Sequence, residues 1–247
     1  MAEEKTSFIS HLEELRKRII ICIAAIAVCF TICCFFDQKL IDILIAPLKD
    51  ALPPGTHLIF TGVSEAFFSY LKVSFFTGIL FASPVILYEI WCFIAPGLYD
   101  KEKKYVLPFV FFSTMLFISG VVFAYYIVLP ITYKFFMSYT TDAIKPFPSL
   151  REYLSFSSKM LLAFGVTFEL PIFILFLSKI GILSVRTLTA YRKYAVLIIF
   201  VVAAVVTPST DVVSQVLTAV PLWILYEISI VLVKVFNRKK ESLQDAS

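Results

Sequence analysis

Long apolar runs, each closed by a short polar cluster, organise this chain. Ile19–Phe36 carries no charged residue. A second run, about Phe67 to Phe93, is interrupted by Lys72 near one end and Glu89 near the other. Tyr105–Tyr133 is again free of charge, and a span to about Val128 takes most of it. A fourth run, about Phe156–Ile180, holds Glu169 near its middle; a fifth, Tyr194–Val206, is short; a sixth, about Val212–Phe236, holds Glu227. A helix needs about 20 largely apolar residues to cross a bilayer. The pattern therefore predicts an all-α, polytopic membrane protein with six transmembrane helices. Their spans are residues 19–36, 67–93, 105–128, 156–180, 194–206 and 212–236, in one membrane domain over 1–240. Short spans are met by local bilayer thinning or by burial against longer helices. The polar segment 241–247 reads as a disordered cytoplasmic tail.

Charge gives the orientation. Lys5, Arg16, Lys17 and Arg18, then Lys101, Lys103 and Lys104, then Arg186, Arg192 and Lys193, then Lys234, Arg238, Lys239 and Lys240 fall on one side. Only Lys39, Lys49, Lys134, Lys145 and Arg151 fall on the other. The Lys/Arg-rich side is cytoplasmic, so both termini are inside. The two larger outside loops, about Asp37–Ala66 and Leu129–Ser155, carry Pro47, Pro53-Pro54-Gly55, Pro146 and Pro148. Proline stops helices and favours turns, so these loops read as a compact periplasmic cap with short helical pieces.

Composition agrees. Apolar residues make up 60% and charged residues 16%, against about 45–50% and 25% in soluble domains. A net charge of +4, scattered in loops, gives no polyanion groove and no reason to expect nucleic acid. The five cysteines have neither the CxxC spacing nor the neighbouring histidines of a metal site, so neither metal nor cofactor is expected. Ile19–Phe36 is not read as a cleaved signal peptide: Glu3, Glu4, Glu13 and Glu14 precede it and no clean cleavage site follows.

Several residues could carry function. Phe8, Leu12, Leu15 and Ile19 recur on one helical face, and Ser10 and Glu13 have capping-box spacing. This predicts an amphipathic surface helix before the first span, with Glu13–Lys17 and Glu14–Arg18 as i,i+4 pairs. In the first cytoplasmic loop Glu102 sits among Lys101, Lys103 and Lys104, which favour its ionised form. The plainer reading of both segments is a solvated charged face. Glu169 is sharper: a carboxyl at membrane depth costs about 2.5 kcal/mol or more and marks function by default. Pro171 two residues on can kink the helix there. Glu89 and Glu227, nearer helix ends, read as snorkelling or interhelical hydrogen-bonding residues.

Five groups of residues occur in order: His11-Leu12-x-Glu14-Leu15-Arg16; Ser83-Pro84-x-x-x-Tyr88-x-x-Trp91-x-Phe93-Ile94-x-Pro96-x-Leu98; Phe164-Gly165-x-x-Phe168-Glu169-x-Pro171; Thr207-Pro208 before Asp211; and Tyr226-Glu227. On a six-span topology, and over about Ser7 to Lys240, they resemble the TatC family, the receptor of the twin-arginine protein translocase. The resemblance implies a subunit of the bacterial cytoplasmic membrane that binds twin-arginine signal peptides and scaffolds the export of folded proteins, driven by the proton-motive force. It implies single-span partners of the TatA and TatB type and self-association in a larger complex. Carried onto this chain, it places signal-peptide binding at Glu14, Glu102, Arg16 and Phe93, and partner binding at Glu169 in a concave, membrane-facing groove. It gives Pro47, Asp211 and Gln215 roles in transport or assembly. Glu89 departs from the family, where glutamine is common.

Physical chemistry makes the receptor role intelligible. A guanidinium bonds a carboxylate bidentately, and lysine cannot reproduce that fork. Two carboxylates on separate segments can read two adjacent arginines. The sequence shows no P-loop, HExxH or nucleophile–base constellation, so no catalytic residue is expected. The alternative is a proton-coupled secondary transporter or channel with Glu169 as carrier site, against which the chain shows no inverted repeat or paired broken helices.

Overall fold

Helices α1 (Ala2–Cys34), α2 (Asp37–Lys49), α3 (Glu65–Ile94) and α4 (Val106–Phe123) come first, followed by a π turn, Ala124–Val128. After it come α5 (Leu129–Met137), α6 (Leu150–Thr167), α7 (Leu170–Lys179), α8 (Val185–Ala190), α9 (Arg192–Val206) and α10 (Val212–Gln244). This computed structural model describes residues 2–49, 58–60, 62–94, 106–139, 147–207 and 212–244. Among them the only extended pairing is a single bridge between Ile59 and Ser149.

Five stretches are long and apolar enough to cross a membrane: His11–Cys34, Glu65–Ile94, Leu107–Met137, Leu150–Lys179 and Val212–Asn237. The expected fifth span is α9, with 15 residues. At 1.5 Å per residue it is roughly 22 Å long, short of a hydrocarbon core about 30 Å thick.

The expected surface helix is not separate. Its residues and the first span form one unbroken α1, so positions 10 and 13 lie within a continuous helix and not at a helix start. From Ser10 to Cys34 there is no glycine or proline, and nothing stops propagation once the apolar segment is helical. Helix α10 runs through Gln244, since Lys239, Lys240, Glu241, Leu243 and Gln244 are all good helix formers; the rest of the expected 241–247 tail lies outside the described residues. The third span also continues past Val128. Pro130 cannot donate a hydrogen bond, and the helix absorbs this through the π turn, in which the Leu129 N–H reaches back five residues to the Ala124 carbonyl.

The contacts divide the chain into two compact units. Met1–Ala46, His57–Met115 and Phe147–Ser158 form the first. Here α1 packs along α3, and Gly78 lets them approach closely. A Cβ on Gly78 would lie 2.9 Å from the backbone N and Cα of Phe30. Pro84 inside α3 deprives the Leu80 carbonyl of its helical donor; the Ser83 hydroxyl donates to that carbonyl instead, at 2.7 Å. Trp91 is held against α4 by an Nε1–H bond to Ser113 Oγ at 2.8 Å and by ring contact with Phe109. We expect Gly78→Ala to destabilise the protein by about 1–3 kcal/mol, the usual cost of overpacking. Thermal unfolding in detergent measures it, and an unchanged midpoint would contradict the close crossing.

Pro47–Thr56, Leu116–Pro146 and Lys159–Ser247 form the second unit. Helix α10 packs on α7, α8 and α9. The Arg192 guanidinium meets Glu227 at 2.8 Å, and the Tyr226 hydroxyl donates to the Leu188 carbonyl at 2.8 Å. Glu227 is thus an interhelical ion-pair residue.

Candidate functional site

One end of the α1–α3 pair carries the richest polar cluster among the described residues. Glu14 and Arg18 are one turn apart on α1. Glu89 and Phe93 are one turn apart on α3. Arg18 joins the two helices: its Nε donates to Glu14 Oε1 at 3.1 Å, its Nη2 donates to the same oxygen, and its Nη1 donates to Glu89 Oε2 at 2.9 Å. The guanidinium fork suits this double engagement. The Glu89 side chain is 10% exposed, that of Arg18 22% and that of Glu14 34%. Burial therefore deepens from Glu14 to Glu89. His11 completes the cluster. Its ring stacks on Phe93, with centroids 4.4 Å apart and planes 18° from parallel, and its Nδ1 lies 3.9 Å from Glu14 Oε2.

The cluster sets two carboxylates against one guanidinium. With His11 neutral it keeps one negative charge in excess, and Glu14 is its more exposed carboxylate. A second guanidinium arriving from solvent would meet that charge without displacing Arg18 from Glu89.

The structure brings Glu14 and Phe93 together through His11. Arg16 is exposed and takes no part in these contacts among the described residues. Glu102 and Asp211 lie outside the described residues. Pro47 is buried within α2. That helix is tied to α6 by the Tyr153 hydroxyl, which donates to the Leu44 carbonyl at 2.6 Å. Glu169 stands at the break between α6 and α7, partly buried. It is the N-cap residue of α7, with Pro171 in that helix's first turn, and its own carbonyl accepts from the Phe173 N–H at 2.9 Å. The expected interruption thus falls at the carboxyl itself. The neighbouring turns are tightly fitted: a Cβ on Gly120 would lie 2.6 Å from the Phe164 carbonyl oxygen. Gln215, on α10, donates from Nε2 to the Phe200 carbonyl at 3.0 Å and so anchors the short α9.

Sequence reasoning found the Glu14–Arg18 pair by its spacing but missed the Arg18–Glu89 pair and the His11–Phe93 stack. A signal was present: the first span opens on an arginine and the second closes near a glutamate, so consecutive antiparallel helices bring opposite charges to one level.

Residues 10–221 match the family model described as "Sec-independent protein translocase protein (TatC)". The chain belongs to the TatC family. A TatC protein of Desulforapulum autotrophicum is 51% identical over 240 residues, covering 97% of this chain and 88% of that protein. A TatC protein of Magnetococcus marinus is 43% identical, covering 99% and 90%. A crystal structure described as the twin arginine translocase receptor TatC superposes with a TM-score of 0.82 at 42% identity, covering 91% of this chain and 98% of that one. This TatC-family chain is therefore a multi-pass protein of the cytoplasmic membrane and a transport protein, not an enzyme.

Proposed function

We propose that this chain reads twin-arginine signal peptides through the Glu14 cluster, with Glu102 as the second carboxylate. The chain is a subunit of the Sec-independent protein translocase, which exports folded proteins on the proton-motive force. The observation that carries the site assignment is the excess carboxylate at Glu14. It already holds one guanidinium, and it is the more exposed of the cluster's two carboxylates. In this proposal Arg18 keeps its bond to Glu89 while an incoming arginine takes over the outer face of Glu14. Phe93 and His11 offer an aromatic wall on which a second guanidinium can stack. Arg16, exposed on α1, discourages indiscriminate binding of basic chains by like-charge repulsion.

The same proposal has six spans, with α9 crossing a locally thinned bilayer, and both termini in the cytoplasm. Glu169 is the polar anchor for single-span TatA- and TatB-type subunits, and Pro47, Gln215 and Asp211 serve assembly. Photo-cross-linking tests the receptor site. A photoreactive residue at position 13 or 103, beside Glu14 and Glu102 with both carboxylates kept, is expected to capture a twin-arginine peptide and to lose that product when the pair is changed to Lys-Lys. Capture of both peptides in equal yield would contradict it.

A further inference from the structure

The first turns of α3 and α6 meet around one carboxylate. Glu65 is 9% exposed. Its Oε1 accepts from the Ser149 hydroxyl at 2.9 Å and from the Arg151 backbone N–H at 3.2 Å. Its Oε2 accepts from the Gly62 N–H at 3.2 Å. Glu65 thus serves to join the two helix starts. Beside it opens a cavity of about 480 Å³ lined by Gly62, Glu65, Phe68, Ser69, Lys72 and Arg151.

Three features of this cavity ask for an anion. Lys72 lies seven residues into α3, roughly 10 Å along the helix from Glu65, inside a membrane-length apolar stretch. A cation within an apolar stretch gains from an anionic partner there. Arg151 reaches the same cavity from α6, and among the described residues neither side chain forms an ion pair. The Ser69 hydroxyl is the third feature: the residue is 2% exposed and its Oγ finds no hydrogen-bond partner within the protein. Two cations against one already committed carboxylate leave the lining one positive charge in excess, which matches a phosphate diester. The surroundings choose among its sources. Phe68, Lys72 and Phe75 fall on one face of α3 at i, i+4 and i+7. Phe68 is 56% and Phe75 46% exposed, so an apolar track leads away from the charged cavity.

We propose that this cavity is a phospholipid headgroup site. Lys72, Arg151 and the Ser69 hydroxyl hold the phosphate of an anionic lipid, and its acyl chains lie along Phe68 and Phe75. Charge-assisted hydrogen bonds from both cations supply the affinity, as in other basic pockets between membrane helices. The site is independent of the Glu14 receptor reading.

The test uses the purified full chain, delipidated stepwise in detergent and examined by native mass spectrometry with added phosphatidylglycerol or phosphatidylcholine. The wild type is expected to retain one phosphatidylglycerol in preference to phosphatidylcholine. Lys72→Gln and Arg151→Gln should each weaken retention about tenfold, the loss of one charge-assisted hydrogen bond. Lys72→Arg keeps the charge and should stay near wild type, which separates a lost ligand from a lost fold. Equal retention by the wild type and both glutamine variants would overturn the proposal. Displacement of the lipid by millimolar inorganic phosphate, or phosphate binding without lipid retention, would overturn the lipid assignment in favour of a free-phosphate site.

Discussion

Arg18→Ala is expected to destabilise the protein by about 3 kcal/mol, the lower end of what breaking a buried ion pair costs. The lower end applies because Glu14 is a third exposed and water can solvate it. Glu89 cannot be rescued this way: at 10% side-chain exposure its carboxylate would be left charged and largely dry against α1. The penalty therefore lies mainly with Glu89, and a second substitution should remove much of it. Glu89→Gln in the Arg18→Ala background makes that position neutral, and most of the lost stability should return. Reversible unfolding of the wild type, both single variants and the double variant closes the cycle. Strictly additive effects would mean that Arg18 and Glu89 are not energetically coupled.

The second large effect is expected at Glu169 and is functional. The carboxyl sits at a helix break formed by Phe168 and Glu169, before Pro171. It lies inside the stretch Leu150–Lys179, which is long enough to cross the membrane. A polar anchor between membrane helices is worth roughly 1–2 kcal/mol in model systems, which is about a 5- to 30-fold change in recruitment of a partner helix. Glutamine keeps a donor and an acceptor at this position, whereas alanine keeps neither. Glu169→Gln should therefore hold the single-span partner and export cargo better than Glu169→Ala. Signal-peptide binding should be intact in both. In-membrane cross-linking to the partner, read beside cargo export, checks the ordering. A proton carrier predicts the opposite: glutamine cannot exchange a proton, so both variants would be equally inactive with partner cross-linking unchanged.

Hydropathy located the five long apolar helices because lipid imposes a length and a composition on any span. It located their ends less well. A charged tail and an amphipathic leader look like interruptions in hydropathy, yet a helix propagates through residues such as Lys240 and Glu14 that favour it. The π turn before Pro130 was hidden for a related reason: it lies within an uncharged run where the sequence shows only a proline. At the candidate site, the intrahelical pair Glu14–Arg18 was legible because helical spacing is written in the sequence. The contact from Arg18 to Glu89 depends on how α1 crosses α3. That crossing is set by the missing side chain of Gly78 against the Phe30 backbone, and a lone glycine announces no partner. The cavity beside Lys72 was missed likewise, since it requires α6 to deliver Arg151 beside α3. Glu169 was legible because a carboxyl two residues before a proline in an apolar run violates two local rules at once.

The central claim is that Glu14 reads a guanidinium. Its most direct test is the affinity of a fluorescent twin-arginine signal peptide, and of its Lys-Lys counterpart, for the purified chain and for Glu14→Gln. The wild type is expected to favour the Arg-Arg peptide by about tenfold, or 1.4 kcal/mol, because only the guanidinium fork matches the carboxylate. Glu14→Gln should lose that preference while unfolding at a temperature near that of the wild type. If Glu14→Gln binds the Arg-Arg peptide with wild-type affinity and still discriminates against Lys-Lys, Glu14 is not the reader.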